Sequence, residues 1–226
     1  MPRAHRYALP ACVWHIKHRC YKGEYLLKFA QDRDRWCFWL HEARKRYGLG
    51  VLNYIVSSDH VHLLVHDQGK GEIAKSMRLI AEQTTGEYNR CMNRNGAYWE
   101  ERFHAKAVEI NRQLERCMAY IDLSMVREGV VVHPEDWIWG GYYDIQYPSQ
   151  QYRVIDETKL LELNGVSCLE HYRDIRRLRV ESESARYHPG SDEDWRASPA
   201  AGSTQCINAV PSALETRGQR TDFGPA

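Results

Sequence analysis

The chain has 226 residues, with 31 Lys and Arg against 30 Asp and Glu, a formal net charge of +1. That length suits one substantial domain or one domain with appendages, and the charge balance gives no overall signal of a polyanion partner. No stretch approaches the ~18 consecutive apolar residues of a membrane span, which excludes a helical membrane protein.

Residues 8–18 mix apolar and polar positions around Val13, Trp14 and Ile16 and predict a first strand, with a loop at Lys22-Gly23-Glu24. Gln31 to Tyr47 predicts a helix. Trp36, Trp39, Leu40 and Ala43 fall at helical spacing, Asp32 and Asp34 lie early, Arg44 to Arg46 lie late, and Gly48 stops it. Residues 51–56 predict a second strand. Ser57-Ser58-Asp59 turns it into a third, so the two form a hairpin. Glu72 to Cys91 is a second long helix, Ala105 to Ile110 a fourth strand, and Gln113 to Val126 a third helix, closed by Gly129. The order β-α-β-β-α-β-α predicts an α+β architecture, a central antiparallel sheet with helices packed on it. Ile155 to Leu163 and Cys168 to Val180 predict two short helices. Residues 185–226 are rich in Ser, Gly, Ala and Pro and predict disorder.

The third strand reads Asp59-His60-Val61-His62-Leu63-Leu64-Val65-His66. A strand sends every second side chain to one face, so His60 and His62 point the same way over an apolar row of Val61, Leu63 and Val65. Two imidazoles at that spacing can hold one divalent metal, or they can be two surface histidines. The third helix places Leu114, Met118, Ile121 and Met125 on a buried stripe, with Tyr120 beside it and Arg116, Ser124 and Arg127 on the face of Tyr120. Tyr120 fits a boundary residue with a wet hydroxyl. It equally fits a nucleophile, which at a free phenol pKa of about 10 would need a metal-polarised electrophile or a nearby base.

The seven cysteines are scattered, odd in number and without a Cys-x-x-Cys pair, which suits a reducing cytoplasm. Met1-Pro2-Arg3-Ala4-His5-Arg6-Tyr7 has no apolar signal core. Residues 1–150 hold 21 Lys and Arg against 18 Asp and Glu, so any basic patch is local.

Several motifs occur together in order: Ser58-Asp59-His60-Val61-His62-Leu63-Leu64-Val65, Met77-Arg78, Tyr88-Asn89-Arg90 and Trp99-Glu100-Glu101-Arg102-Phe103-His104. They are followed by Tyr120-Ile121-Asp122-Leu123-Ser124-Met125-Val126-Arg127-Glu128-Gly129-Val130, Pro134-Glu135-Asp136-Trp137 and Trp139-Gly140-Gly141-Tyr142. Through them the chain resembles the REP-associated tyrosine transposases, a branch of the single-tyrosine HUH transposases. The resemblance implies a ferredoxin-like HUH fold over residues 1–149. Residues 150–184, which resemble the family's C-terminal appendage more loosely, read as a helical appendage, and residues 185–226, predicted disordered from composition, as a tail outside the resemblance. It implies Tyr120 as the nucleophile on single-stranded DNA at a hairpin, giving a 5′-phosphotyrosine. It implies His60 and His62 holding Mg²⁺ or Mn²⁺, and Arg78, Arg90, Arg102, His104 and Arg127 contacting DNA. One departure stands out. The family has a carboxamide, usually Asn, four residues after the nucleophile, where it helps hold the metal, and this chain has Ser124, a shorter and weaker ligand. That departure leaves a second class open, a hairpin-binding protein with weakened catalysis. Monomer and dimer are both compatible with the sequence.

Overall fold

Alternation sets the strands and 3.6-residue periodicity the helices of the computed structural model, which describes residues 12–100, 102–110, 112–148 and 153–186. The order is β1 (Val13–Arg19), α1 (Ala30–Tyr47), β2 (Gly50–Val56), β3 (His60–His66), α2 (Glu72–Cys91), β4 (His104–Val108), α3 (Arg112–Asp122), α4 (Ser124–Arg127), α5 (Gly141–Gln146), α6 (Glu157–Asn164) and α7 (Leu169–Arg186). The four strands form one antiparallel sheet in the order β2-β3-β1-β4. That order is the split β-α-β arrangement of a ferredoxin-like fold, in which β3 returns between β2 and β1. The expected α+β class and central antiparallel sheet are therefore present.

Register decides what shares a face. His62 pairs with Lys17 on one side and Ile55 on the other, and Lys17 pairs in turn with His104. One row across the sheet is thus Ile55, His62, Lys17 and His104, because directly opposed residues point the same way. The opposite face carries Val61, Leu63 and Val65, all 0% exposed. Burial of each such side chain stabilises by about 1.5–3 kcal/mol. Helices α1 and α2 cover this apolar face. Trp36 of α1 lies against Tyr54 of β2, and Thr84 of α2 accepts from the indole of Trp99, which stacks on His18 of β1. Trp99, buried at 7% exposure, is a core residue.

Helix α3 covers the histidine face. Its predicted stripe of Leu114, Met118, Ile121 and Met125 is buried throughout. The one helix expected from Gln113 to Val126 is interrupted at Leu123 and resumes as α4. Bonds from Leu123 N to Ala119 O and from Arg127 N to Leu123 O keep the chain winding across the break. Leu123 packs there with Tyr142 and with Val180 of α7. Helix α5 abuts β2 so closely that a Cβ on Gly141 would stand 2.3 Å from Asn53 Oδ1 and 3.0 Å from the Tyr54 amide. Helix α7 runs past the expected end at Val180 to Arg186. The sequence expectations for residues 8–11 and 187–226 lie outside the described residues. Among the described residues, no helix is long and apolar enough to cross a membrane.

Candidate active site

His60 and His62 sit together, as the strand parity requires, with ring centroids 4.9 Å apart. They are not on open surface: α3 lies above them, and they are 7% and 1% exposed. Each ring is held by its Nδ1. His60 Nδ1 lies 2.6 Å from Asp59 Oδ1 and 2.9 Å from Ser57 Oγ, both in the turn that leads into β3. His62 Nδ1 lies 2.8 Å from Nε2 of His15 on β1, and the two rings stack with centroids 4.9 Å apart. With the proton on each Nδ1, both Nε2 atoms keep a lone pair. That is the usual arrangement for a metal-ligating histidine, whose other nitrogen is fixed by an outer partner. The residues therefore fit an open divalent site of two imidazoles, which would be weak for a hard cation. Among the described residues, no three His, Cys, Asp or Glu side chains already close around one point.

Burial keeps His62 and its partner His15 neutral. Burial, followed by the charges of His15 and His60, drives the His62 pKa well below its usual value. Burial, then Lys17 and Lys106, lowers His15 to about 4. Asp59 stays ionised: burial raises its pKa, but its bond and charge interaction with His60 outweigh that and leave it lowered. Partial burial raises Glu128, partly offset by His60.

A stability consequence follows from His15 and from Asp144 of α5. Burial raises Asp144 to about 6 against the opposing hydrogen bond from Tyr54 Oη, 2.7 Å away. His15 is depressed from 6.5, so between pH 6.5 and 4 the unfolded chain binds its proton first and stability falls with acidification. Asp144 is raised from 3.8, so between pH 6 and 3.8 the folded chain binds its proton first and stability rises. Each contribution is about 3 kcal/mol and the two oppose. Urea unfolding at pH 7 and pH 4 should therefore show Asp144→Asn losing about 3 kcal/mol more than wild type on acidification, and His15→Gln losing about 3 kcal/mol less. Parallel slopes in all three proteins would refute the assignment.

Tyr120 is brought to the histidines. Its ring centroid lies 5.7 Å from His62 and 6.1 Å from His15, both edge-on. Arg127 closes the other side: its guanidinium sits 4.0 Å over the phenol ring and donates from Nη2 to the Tyr120 carbonyl at 2.7 Å. A cation held there favours electron density on the phenol ring and offers positive charge beside any incoming phosphate. Ser124 is 4% exposed, and its carbonyl accepts from the Glu128 amide at 3.1 Å. Glu128 Oε1 lies 3.9 Å from His60 Nε2. Asp122 points elsewhere, to Asn53 Nδ2 at 2.8 Å and to Arg176 of α7.

The other basic candidates divide. His104 is exposed on the edge strand β4, two strands from His62 on the same face. Arg102 is exposed at the bend just before β4. Arg78 and Arg90 ride on α2, on the far side of the sheet, and Arg78 pairs with Glu82 at 3.0 Å. The structure does not bring those two to the histidines. Sequence reading missed His15, Lys17 and Glu128. The alternation His15-x-Lys17 was the available signal for the first two, and the four-residue spacing 120, 124, 128 for the third.

Among curated proteins no sequence matches this chain. Among solved structures, a REP-associated tyrosine transposase bound to a REP hairpin superposes with a TM-score of 0.54 at 18% identity, covering 69% of this chain and 94% of that one. That likeness establishes the fold. A protein of Deinococcus radiodurans R1 named as a candidate transposase gives a TM-score of 0.38 at 14% identity over 57% of this chain and 98% of its own, too distant to carry an argument. The family model for IS200-like transposases matches residues 11–123, half of the chain, and so takes in His15, His60, His62 and Tyr120. The chain belongs to the IS200-like transposase family.

Proposed function

We propose that this transposase is a metal-dependent single-strand DNA endonuclease and strand transferase acting at hairpins through a 5′-phosphotyrosine. The observation that carries the reading is the edge-on approach of Tyr120 to His62, 5.7 Å between centroids, under the Arg127 guanidinium. In the proposed step the Tyr120 oxygen attacks a backbone phosphorus. The bond from phosphorus to the 3′-oxygen breaks, and that oxygen leaves as a hydroxyl after taking up a proton. The phenol proton passes to a neutral imidazole of the cluster or to water. A free 3′-hydroxyl attacking the phosphotyrosine then reverses the chemistry and joins strands without an external energy source. Mg²⁺ or Mn²⁺ held by the Nε2 atoms of His60 and His62 would polarise the phosphate and stabilise its developing charge. Asp59, Ser57 and His15 orient the two imidazoles, and Arg127 positions Tyr120.

The hairpin is the proposed partner, with His104, Arg102 and Arg127 as phosphate contacts. Arg78 and Arg90 would need DNA that wraps past the sheet. The proposed division is a transposase unit over residues 1–149, a helical appendage over 150–184 and a tail beyond, in a cytoplasmic protein.

A second reading is a hairpin-binding protein with weakened catalysis, favoured by Ser124 where a carboxamide would be a stronger ligand. The test is to incubate end-labelled hairpin DNA with Mn²⁺ and the wild-type chain, run a denaturing protein gel and map the labelled peptide. Label on the peptide containing Tyr120 is the expected result. Tight binding with no covalent label would select the second reading.

A further inference from the structure

The Ser124 departure leaves a specific chemical gap. A divalent cation on two imidazoles needs further oxygen donors, and the residue one turn after the nucleophile offers only a short hydroxyl. One more turn along the same winding stands Glu128. Its amide donates to the Ser124 carbonyl at 3.1 Å, so Tyr120, Ser124 and Glu128 follow one another at four-residue spacing. Side chains on a helix lean toward its N-terminus, so a residue covers the surface over the preceding turn. A long side chain at position 128 therefore leans back over Ser124, toward the histidines.

The geometry shows the result of that lean. Glu128 Oε1 lies 3.9 Å from His60 Nε2, the ring nitrogen that Asp59 and Ser57 leave facing outward. That separation is too long for a hydrogen bond, which has its donor and acceptor about 3 Å apart. It lies between the two separations that paired ligands of one ion take. With metal–ligand distances of about 2.1 Å, two donors on one cation lie about 3 Å apart when adjacent and about 4.2 Å apart when opposite. The Glu128 side chain is 39% exposed, so its carboxylate can swing. Among the described residues no three such side chains stand as a closed metal group, so Glu128 joins the two histidines only through that swing.

We infer that Glu128 supplies the carboxylate ligand of the catalytic cation, replacing from one turn further along the helix the donor that Ser124 cannot provide. This rests on the metal-dependent reading above. An anionic oxygen also suits Mg²⁺ or Mn²⁺ better than a third neutral donor would. Glu128 is thereby a metal-site residue.

The test is Mn²⁺ binding by the full chain without DNA, read from the loss of the free-ion signal in electron paramagnetic resonance. Glu128→Ala should weaken Mn²⁺ binding by about tenfold or more, a loss on the scale that metal-site partners carry. Glu128→Gln, which keeps a neutral oxygen, should fall between. Adding Ser124→Asn to Glu128→Ala should restore most of the affinity, since a carboxamide oxygen then stands one turn nearer. Because Glu128 is solvent-facing, circular dichroism of its variants should match wild type. If His62→Ala loses Mn²⁺ but Glu128→Ala binds it like wild type, the Glu128 ligand is refuted and the two-histidine site stands. If the wild-type chain binds no Mn²⁺ at all, both fall together.

Discussion

Tyr120→Phe should form no covalent adduct with hairpin DNA while binding that DNA within about threefold of wild type, a difference under about 1 kcal/mol. The expectation comes from how the residue is held. Arg127 packs over its ring face and holds its carbonyl, and the edges of His62 and His15 meet its ring. None of these contacts requires the hydroxyl to shape the ring pocket, so phenylalanine should occupy the same space. Only the oxygen proposed to attack is lost. Residual cutting without a covalent intermediate would point instead to water as the nucleophile and would leave Tyr120 a packing residue. Binding itself should weaken as salt rises, because contacts to phosphates release counterions.

The second large effect concerns folding. Arg176 and Asp122 form an ion pair at 3% and 1% side-chain exposure, bonded from Nε at 2.9 Å and from Nη2 at 2.5 Å. Asn53 Nδ2 completes the Asp122 shell at 2.8 Å. Truncating the arginine leaves a buried carboxylate without its countercharge, which typically costs about 3–5 kcal/mol. Arg176→Ala should therefore lose that much stability in urea unfolding. Replacing both partners by apolar residues, as in Asp122→Leu with Arg176→Met, should cost less than the single change, because no charge is then stranded. A loss below about 1 kcal/mol for Arg176→Ala would show that water relaxes into the site. The same pair reaches from α7 to α3, two residues from Tyr120. A fragment ending at residue 149 should accordingly be recovered unfolded, or with α3 unable to hold its place.

Much of this was legible in the sequence. Strand parity alone put His60 and His62 on one face and Val61, Leu63 and Val65 on the other. Helical period alone marked Leu114, Met118, Ile121 and Met125 as buried. What escaped depends on contacts between distant segments. His15 holds His62 only because β1 pairs beside β3 in a register that places Lys17 opposite His62, and no local pattern encodes register. The break at Leu123 coincides with α7 packing on Leu123, a tertiary contact, and with Arg127 reaching seven residues back to the Tyr120 carbonyl. Arg176 lies in a run of charges, Arg173 to Arg179, that reads as a solvated face, yet one of its arginines is almost wholly buried. Arg78 and Arg90 show the converse: proximity to the motifs along the chain did not become proximity in space.

The close approach of α5 to β2 has a consequence for how this protein tolerates sequence change. Any side chain at Gly141 would collide with Asn53, the residue that braces Asp122. In a saturation library scored for transposition, position 141 should be as depleted as position 120. The two would separate once soluble yield is scored as well: substitutions at Tyr120 would leave yield intact, and those at Gly141 would lower it.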